Sequence, residues 1–318
     1  MRALRILGVT ICYVSTILGA GMTSGKEIAV FFKDANFLSI LFCSLLIGAS
    51  ATLFLYVGQS SNGEITSFIF GKHEDYGRII VSILNLLFLS TMLGASETLA
   101  MEMFHLKGGG LIASSIVLLV YYGGSRYLKG VAYLLTPLSV GVLIALYVLK
   151  GQPFQGEFRI LLPLTYASLN SASSGLYSKS YSVGLKRDDP FIIGGLVTIS
   201  FAVIFMVIKS IIIENENVNI PTLSVAIDTN LAIILSVVIL GAIITSAVCN
   251  LSLAIGKPSS LKPIVTISIA LLISSFGFND LIKYAYPFIG AVYALIIVLT
   301  LYRVISMKLK VKFKGAYL

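Results

Sequence analysis

The stretch LGAGMTSGKE, residues 18–27, lies in the middle of the first long apolar segment of this chain, 4–32. Three glycines, two hydroxyl side chains and an adjacent Lys-Glu pair interrupt a segment that is otherwise long enough to cross a bilayer, which takes about 20 apolar residues. Non-helical backbone is tolerated at membrane depth only where it is buried in protein or lines an aqueous cavity. The stretch therefore predicts a broken helix beside an internal site.

The composition is that of an integral membrane protein. Of the 318 residues, 57% are hydrophobic and 12% are charged, whereas soluble domains have about 25% charged residues. We expect an all-α protein with about ten membrane helices and a single transmembrane domain over 1–318. The ten segments cover 4–32, 36–60, 77–105, 109–123, 127–149, 160–184, 190–213, 230–255, 261–278 and 281–305.

The basic residues indicate the orientation of the chain. With both termini on one side, most of the 23 Lys and Arg residues fall on that side, and by the positive-inside rule it faces the cytoplasm. We therefore expect a multi-pass protein of the cell membrane with cytoplasmic N- and C-termini. The basic tail KLKVKFK, 308–314, then anchors the last segment at the lipid surface. Nucleic acid is not an expected partner, because this tail directly follows a membrane span.

Ten segments divide into two halves of five, approximately 1–150 and 151–318. Because five is odd, the second half enters the membrane from the opposite side, an inverted repeat typical of secondary transporters. Interrupted segments at corresponding positions of the halves then indicate the binding site. The sixth segment contains TYASLNSASSGLYSKSYS, 165–182, which is too polar to face lipid and predicts a second broken helix. Close helix packing through small residues is the structural alternative.

Three charged residues inside predicted spans are candidates for ion coupling. Glu27 would serve as a carboxylate for a cation or a proton, with Lys26 as a fixed counter-charge. The alternative is that this pair simply marks the outer end of the first helix. Glu97, in the third segment, is a candidate because a carboxyl inside the membrane is functional by default. Its alternative is a place on the wall of a water-filled vestibule.

The eighth segment contains adjacent hydroxyls, Thr245 and Ser246, with Ala242 one turn earlier. Hard cations prefer oxygen ligands, so these hydroxyls and free carbonyls of a broken neighbouring helix form a candidate sodium site. Hydrogen bonding of each hydroxyl to its own helix is the alternative. No nucleophile-base or nucleotide-binding motif appears, so an enzyme is not expected.

The first segment resembles the GAG-x-x-SG-x-E stretch of the YkvI-like bacterial membrane proteins, which are allied to the amino acid-polyamine-organocation and neurotransmitter:sodium symporter superfamily. The matching positions are Gly19-Ala20-Gly21, Ser24-Gly25 and Glu27. The resemblance implies the five-plus-five LeuT fold, with helices 1 and 6 broken around a central substrate. It also implies sodium ligands, which would be the carbonyls of Gly19, Met22 and Ala242 and the hydroxyls of Thr245 and Ser246.

One position departs from that pattern. Lys26 stands where the sodium symporters commonly have an amide residue that helps to bind a second sodium ion. We therefore expect one sodium ion at most, or proton coupling through Glu27 or Glu97. A bound sodium ion is the one cofactor that the resemblance implies.

Together these features predict a sodium- or proton-coupled secondary transporter of a small solute, an amino acid or related amine, that works by alternating access. The alternative is a ligand sensor on the same fold, like the membrane subunit of a spore-germinant receptor, without net transport. The expected partners are the small molecule and the lipid bilayer, and the oligomeric state stays open. Substrate contacts are expected from Gly21, Thr23, Ser24 and Gly25 in the first segment and from Tyr166, Ser168, Asn170 and Ser171 in the sixth.

Overall fold

The chain folds into helices throughout. The computed structural model describes residues 2–60, 64–256 and 261–315, and at 125–127, 129 and 308–315 it describes the backbone alone. The side chains of the predicted basic anchor, 308–314, thus lie outside the described part. The described residues form no β-strand, only an isolated bridge between Ala35 and Glu157. The helices are α1 (Arg2–Ile17), α2 (Ala20–Thr23), α3 (Lys26–Phe31), α4 (Phe37–Ser60), α5 (Ile65–Phe70), α6 (Glu74–Phe104), α7 (Gly109–Gly123), α8 (Ser125–Lys150), α9 (Leu161–Tyr177), α10 (Lys179–Ser182), α11 (Asp189–Ile212), α12 (Pro221–Ile227), α13 (Ala232–Ile255), α14 (Lys262–Ser274), α15 (Phe278–Asp280) and α16 (Tyr286–Gly315).

Six helical runs among the described residues are long and apolar enough to cross a membrane, which confirms an all-α protein embedded in the membrane. Ten membrane-length helices were expected, and the difference has a simple cause. The segments 4–32 and 160–184 are each divided, and α7 and α14 have only 15 and 13 residues. The six long runs are Phe37–Ser60, Ile65–Phe104, Gly130–Lys150, Asp189–Asn215, Ala232–Ile255 and Phe278–Met307.

Small residues allow α4 and α11 to pack closely. A Cβ atom on Gly48 would lie 2.5 Å from the carbonyl oxygen of Gly194, and one on Gly194 would lie 2.6 Å from the carbonyl oxygen of Gly48. Each glycine is followed four residues later by a threonine, Thr52 or Thr198, whose side chain covers the glycine of the opposite helix. The contact is therefore reciprocal and antiparallel, and it depends on the missing side chains.

The other helices pack in a regular pattern around this pair. The first helix, α1, contacts α8 and α11, while α9 contacts α16 and α4. Near the centre α6 packs against α13. Both helices also contact the two short helices α7 and α14. The broken first segment is thereby enclosed by α6, α9, α11 and α13.

Candidate functional site

The first predicted segment is interrupted, as expected, and a glycine lies at each of its two breaks. After α1 ends at Ile17, Gly19 has an extended backbone, with φ −78° and ψ −177°, and the single turn of α2 follows. Gly25 then has a φ of +79°, in the left-handed region that glycine adopts without strain, and α3 begins at Lys26. The chain thus changes direction twice inside the bundle.

The first break exposes backbone oxygen atoms to the interior. Among the described residues, the carbonyl of Leu18, which lies outside both helices, accepts no hydrogen bond from a backbone N–H. The carbonyl of Gly19 accepts two, from the N–H and the hydroxyl of Thr23 at 3.0 and 2.9 Å. The Ser246 hydroxyl of α13 lies 3.4 Å from the Thr16 carbonyl oxygen, which is long for an O–H···O bond. Helix α13 thus approaches the break through this hydroxyl.

Glu27 points from α3 into the protein, where its side chain is 2% exposed. Its Oε2 accepts a hydrogen bond from the Tyr166 hydroxyl of α9 at 2.6 Å. The Tyr286 hydroxyl interacts with the same carboxyl, but forms no hydrogen bond of good geometry with a described residue. Gly21 makes room for the carboxyl, because a Cβ there would overlap it and lie 2.5 Å from Glu27 Cγ.

Glu27 differs from Asp189, the other buried acidic side chain of the described residues. Glu27 makes no salt bridge to a described residue, and its partners are hydroxyls. A buried charge without a partner is unfavourable, so this carboxyl calls for a cation or a proton. Asp189 pairs with Arg2 at 2.8 Å, Lys209 pairs with Glu216 at 2.5 Å, and Lys26 donates to the Val218 carbonyl at 2.8 Å. Because its ammonium is directed to that carbonyl, Lys26 does not pair with Glu27 in this structure.

A small cavity, the central cavity, lies between the first break, α6, α9 and α13. Its volume is about 10 Å³, close to the least that one water molecule needs. Its wall is mostly polar, and Glu27 is its one ionisable side chain among the described residues. The lining residues are Thr16, Ile17, Gly19, Glu27, Phe88, Met92, Asn170, Ser173, Ser174, Ser246 and Asn250.

Three of these helices meet in an oxygen-rich cluster beside the central cavity. The Ser173 hydroxyl of α9 lies 3.2 Å from Asn85 Oδ1 of α6 and 3.0 Å from Asn250 Oδ1 of α13. The Asn85 amide donates to the Val81 carbonyl and the Tyr293 hydroxyl, both at 2.8 Å. This arrangement keeps the Asn85 oxygen towards Ser173. The sequence reasoning missed the cluster, although an asparagine in the apolar run around position 85 was the available signal.

The structure brings four of the residues singled out from the sequence to the central cavity: Gly19, Glu27, Asn170 and Ser246. Gly21 and Tyr166 lie behind them in contact with Glu27. The others, apart from Glu97, are buried but do not line this cavity. They are Met22, Thr23, Ser24, Gly25, Lys26, Ser168, Ser171, Ala242 and Thr245.

The sixth segment is interrupted within the expected stretch 165–182, at Ser178. Helix α9 is continuous from Leu161 to Tyr177, so the candidate substrate residues Tyr166, Ser168, Asn170 and Ser171 lie in unbroken helix. Two of the polar side chains bond to their own helix, since the Ser168 hydroxyl donates to the Leu164 carbonyl at 2.9 Å and the Asn170 amide to the Tyr166 carbonyl at 3.2 Å. The backbone at these positions therefore has no free group to offer a ligand.

The hydroxyl pair of α13 is divided between two roles. The Thr245 hydroxyl donates to the carbonyls of Gly241 and Ala242 of its own helix, both at 3.1 Å. Ser246 alone reaches the first break. Of the five expected sodium ligands, only Gly19 and Ser246 therefore lie at one cavity. The described residues contain no group of three or more His, Cys, Asp or Glu that could hold a metal ion, so any ion would depend on neutral oxygens and Glu27.

Glu97 is away from the central cavity. Its carboxyl accepts hydrogen bonds from the N–H of Gly108 at 2.9 and 3.1 Å and from the N–H of Gly110 at 3.0 Å. These N–H groups belong to the first turn of α7 and the residue before it, where helices leave donors unpaired. In this structure Glu97 therefore caps α7.

A segment between α11 and α13, 213–227, covers one end of the broken helix. Thr222 donates from its N–H to the Ser24 carbonyl at 3.0 Å and from its hydroxyl to the Thr23 carbonyl at 2.8 Å. The bonds from Lys26 and Lys209 hold the same segment. At this end segment 213–227 therefore packs against the turn between α2 and α3.

The opposite end of the bundle has a larger cavity, the end cavity, with a volume of about 350 Å³. Its wall includes Arg78, which pairs with Glu64 at 3.1 Å. Leu176 and Tyr177 of α9 and Ser252 and Leu253 of α13 also line it. These positions are about one helical turn beyond Ser173 and Asn250, so a single turn of each helix separates the two cavities.

Comparison with known proteins gives no relative. No protein-family model matches the chain, and no curated protein matches it. The fold defines the class of the protein as an all-α protein of the membrane.

Proposed function

We propose that this protein is a cation-coupled secondary transporter of a small solute, an amino acid or a related amine. The observation that carries the proposal is the central cavity, which lies at the broken first segment and is bounded by α6, α9 and α13. Segment 213–227 covers the broken helix at one end, and the end cavity approaches the central cavity from the other. A polar site between a closed end and a more open one is what alternating access requires.

The finer architecture that we propose is the five-plus-five inverted repeat of the LeuT fold. The six long runs alone are too few, so the two divided segments and the short helices α7 and α14 must supply the other four crossings. The packing supports this division. In this repeat α1, α4, α6, α7 and α8 of the first half correspond, in order, to α9, α11, α13, α14 and α16 of the second. The contacts α1–α11, α1–α8 and α6–α14 then correspond to α9–α4, α9–α16 and α13–α7. The contacts α4–α11 and α6–α13 each join two corresponding helices.

The reciprocal contact of α4 with α11 supports the same repeat. Gly48 and Thr52 on one helix occupy the places that Gly194 and Thr198 occupy on the other, and the helices run antiparallel. A two-fold axis in the membrane plane relates helices in this way. The proposed orientation, with both termini in the cytoplasm, follows from the basic residues and puts the end cavity on the cytoplasmic side.

The coupling that we propose needs no covalent chemistry. A cation at the central cavity compensates the buried charge of Glu27 and favours the state that encloses the site. The substrate adds its own contacts in the same state, and each ligand acts through its different affinity for the two states. Because the central cavity is only about 10 Å³, a whole amino acid requires it to widen, by movement of the turns that separate it from the end cavity.

Reconstitution into proteoliposomes tests this proposal. We expect uptake of one or more members of a labelled amino-acid mixture to increase when an inward sodium or proton gradient is imposed, compared with equal ion concentrations on both sides. Protein-free liposomes provide the control for leakage. If no gradient changes the uptake of any member, coupled transport of this substrate class is contradicted. Binding of a member without any uptake would instead favour the sensor.

A further inference from the structure

The oxygen cluster beside the central cavity contains two amide oxygens that can accept a hydrogen bond but only one hydroxyl, that of Ser173, to donate it. Ser173 has a single O–H to donate, yet Asn250 Oδ1 and Asn85 Oδ1 lie 3.0 and 3.2 Å from its oxygen. The amide nitrogen of Asn85 is engaged elsewhere, so its oxygen cannot turn away without breaking two hydrogen bonds. Three oxygen atoms from three helices thus converge beside the cavity, and two of them, those of Ser173 and Asn250, belong to residues that line it.

The same cavity is lined by a carboxyl that has no cationic partner. Glu27 is 2% exposed, and its described partners are tyrosine hydroxyls from α9 and α16. Its neighbour Lys26 donates to the Val218 carbonyl instead. The lining residues include no Lys, Arg or His. Negative charge and oxygen acceptors are thus gathered at the cavity with no positive group of the described chain beside them.

The volume limits what can bind there. About 10 Å³ admits one particle of the size of a water molecule. A sodium ion stripped of water is of that size, and so is the ammonium group at the end of an amine. One carboxylate with neutral hydroxyl and amide oxygens is the kind of ligand set that such hard cations prefer.

We propose that the central cavity binds one monovalent cation through the Glu27 carboxylate, the Ser173 hydroxyl and the Asn250 amide oxygen. Asn85 is a positioning residue that holds Ser173. This set differs from the hydroxyl pair Thr245-Ser246, since Thr245 is bonded to its own helix. This proposal rests on the proposed function only for the role of the bound cation, which would be the coupling ion. Binding of the cation is measured without transport.

Two cations could occupy this ligand set, a sodium ion or the ammonium group of an amine substrate. Purified full-length protein is titrated with sodium chloride, methylammonium chloride or choline chloride at constant total salt. Unfolding is followed with a thiol-reactive dye, because Cys12, Cys43 and Cys249 are all buried and react on unfolding. A cation that binds only the folded state raises the unfolding temperature as its concentration rises. We expect sodium or methylammonium to do so, and choline, which is too large, to have no effect.

Matched variants locate the effect. Glu27→Gln keeps the shape of the side chain, and we expect it to abolish the cation-dependent rise. Glu102→Gln removes an exposed carboxyl and retains the full rise. Ser173→Ala and Asn250→Ala each remove one neutral ligand, and we expect the half-maximal cation concentration to increase about tenfold in each.

The outcomes separate the two sources and expose a failure. A rise with sodium alone assigns the site to the ion, and a rise with methylammonium alone assigns it to the substrate amine. Absence of any rise overturns the proposal, as does a rise that Glu27→Gln or both neutral-ligand variants retain. If Glu27→Gln does not fold, the two neutral-ligand variants decide. If the wild type shows no gradient-driven uptake but cations still raise its unfolding temperature, the transporter proposal is contradicted and the cation site is retained.

Discussion

The first segment and the α9–α10 segment each consist of a long helix followed by a shorter piece, but they are divided in different ways. Between α1 and α3 the chain passes through an extended Gly19 and a left-handed Gly25. Between α9 and α10 only Ser178 intervenes, with right-handed dihedral angles of −64° and −16°. Glycine thus opens the backbone of the first segment, whereas serine leaves the helical path of the other nearly unchanged.

The two segments also differ in what holds them. The turns of the first are fixed by distant residues, above all by the hydrogen bonds from Thr222 to Ser24 and Thr23. In α9, by contrast, Ser168 and Asn170 hydrogen-bond to carbonyls of their own helix. Its glycine, Gly175, serves packing, because a Cβ there would overlap the ring of Phe54 on α4. A glycine in a membrane segment therefore has two separate uses, and substitutions distinguish them.

The largest effect is expected from Gly21→Ala. The new Cβ overlaps the buried Glu27 carboxyl and displaces it from Tyr166. Overpacking costs about 1–3 kcal/mol, and a lost hydrogen bond to a charged group costs about 1.5–3 kcal/mol. Thermal unfolding of the purified protein measures the sum. Because the clash needs both side chains, the double variant with Glu27→Ala should recover part of the loss; simple additivity of the two changes would contradict this contact.

A smaller effect is expected from Gly25→Ala. A non-glycine residue in the left-handed region costs about 1–3 kcal/mol, and the added Cβ would lie 2.9 Å from Ile212 Cγ2. Gly108→Ala is the matched control, since Gly108 has a φ of +99° but no described atom within 4 Å of the point that a Cβ would occupy. Unfolding temperatures should fall further for Gly25→Ala than for Gly108→Ala. Equal falls would show that the Ile212 contact adds nothing.

The sequence was sufficient to predict an all-α membrane protein and the breaks in its first segment. Both depend on local properties, the apolar runs and the glycines at positions 19 and 25. For the sixth segment it predicted a break within 165–182, where the interruption at Ser178 lies, but it could not give the exact position. A serine-rich helix and an unwound one have the same composition, and they differ in whether hydroxyls such as that of Ser168 turn back on their own helix.

The residues that meet at the central cavity were harder to predict, because their contacts are long-range. Asn85 and Ser173 are separated by 88 positions, and nothing local connects them. Glu97 shows the converse, since it caps α7 only because the chain returns to it 11 residues later at Gly108. A carboxyl inside a predicted span was the right kind of signal for both glutamates, but only the fold separates Glu27, which lacks a cation, from Glu97, which has backbone donors.

The smallest effect is expected from Ser168→Ala, and it tests the α9 side of the comparison. The hydroxyl donates to the Leu164 carbonyl of the same helix, a group that already belongs to the helical ladder. Removing it leaves no buried donor unpaired, and alanine is the better helix former, so the stability should change by no more than about 0.5 kcal/mol. Cation-dependent unfolding temperatures should equal those of the wild type, because Ser168 does not line the central cavity. A loss comparable to that of Gly25→Ala would mean that the Ser168 hydroxyl holds more than its own helix, and the contrast between the glycine-opened first segment and the continuous α9 would fail.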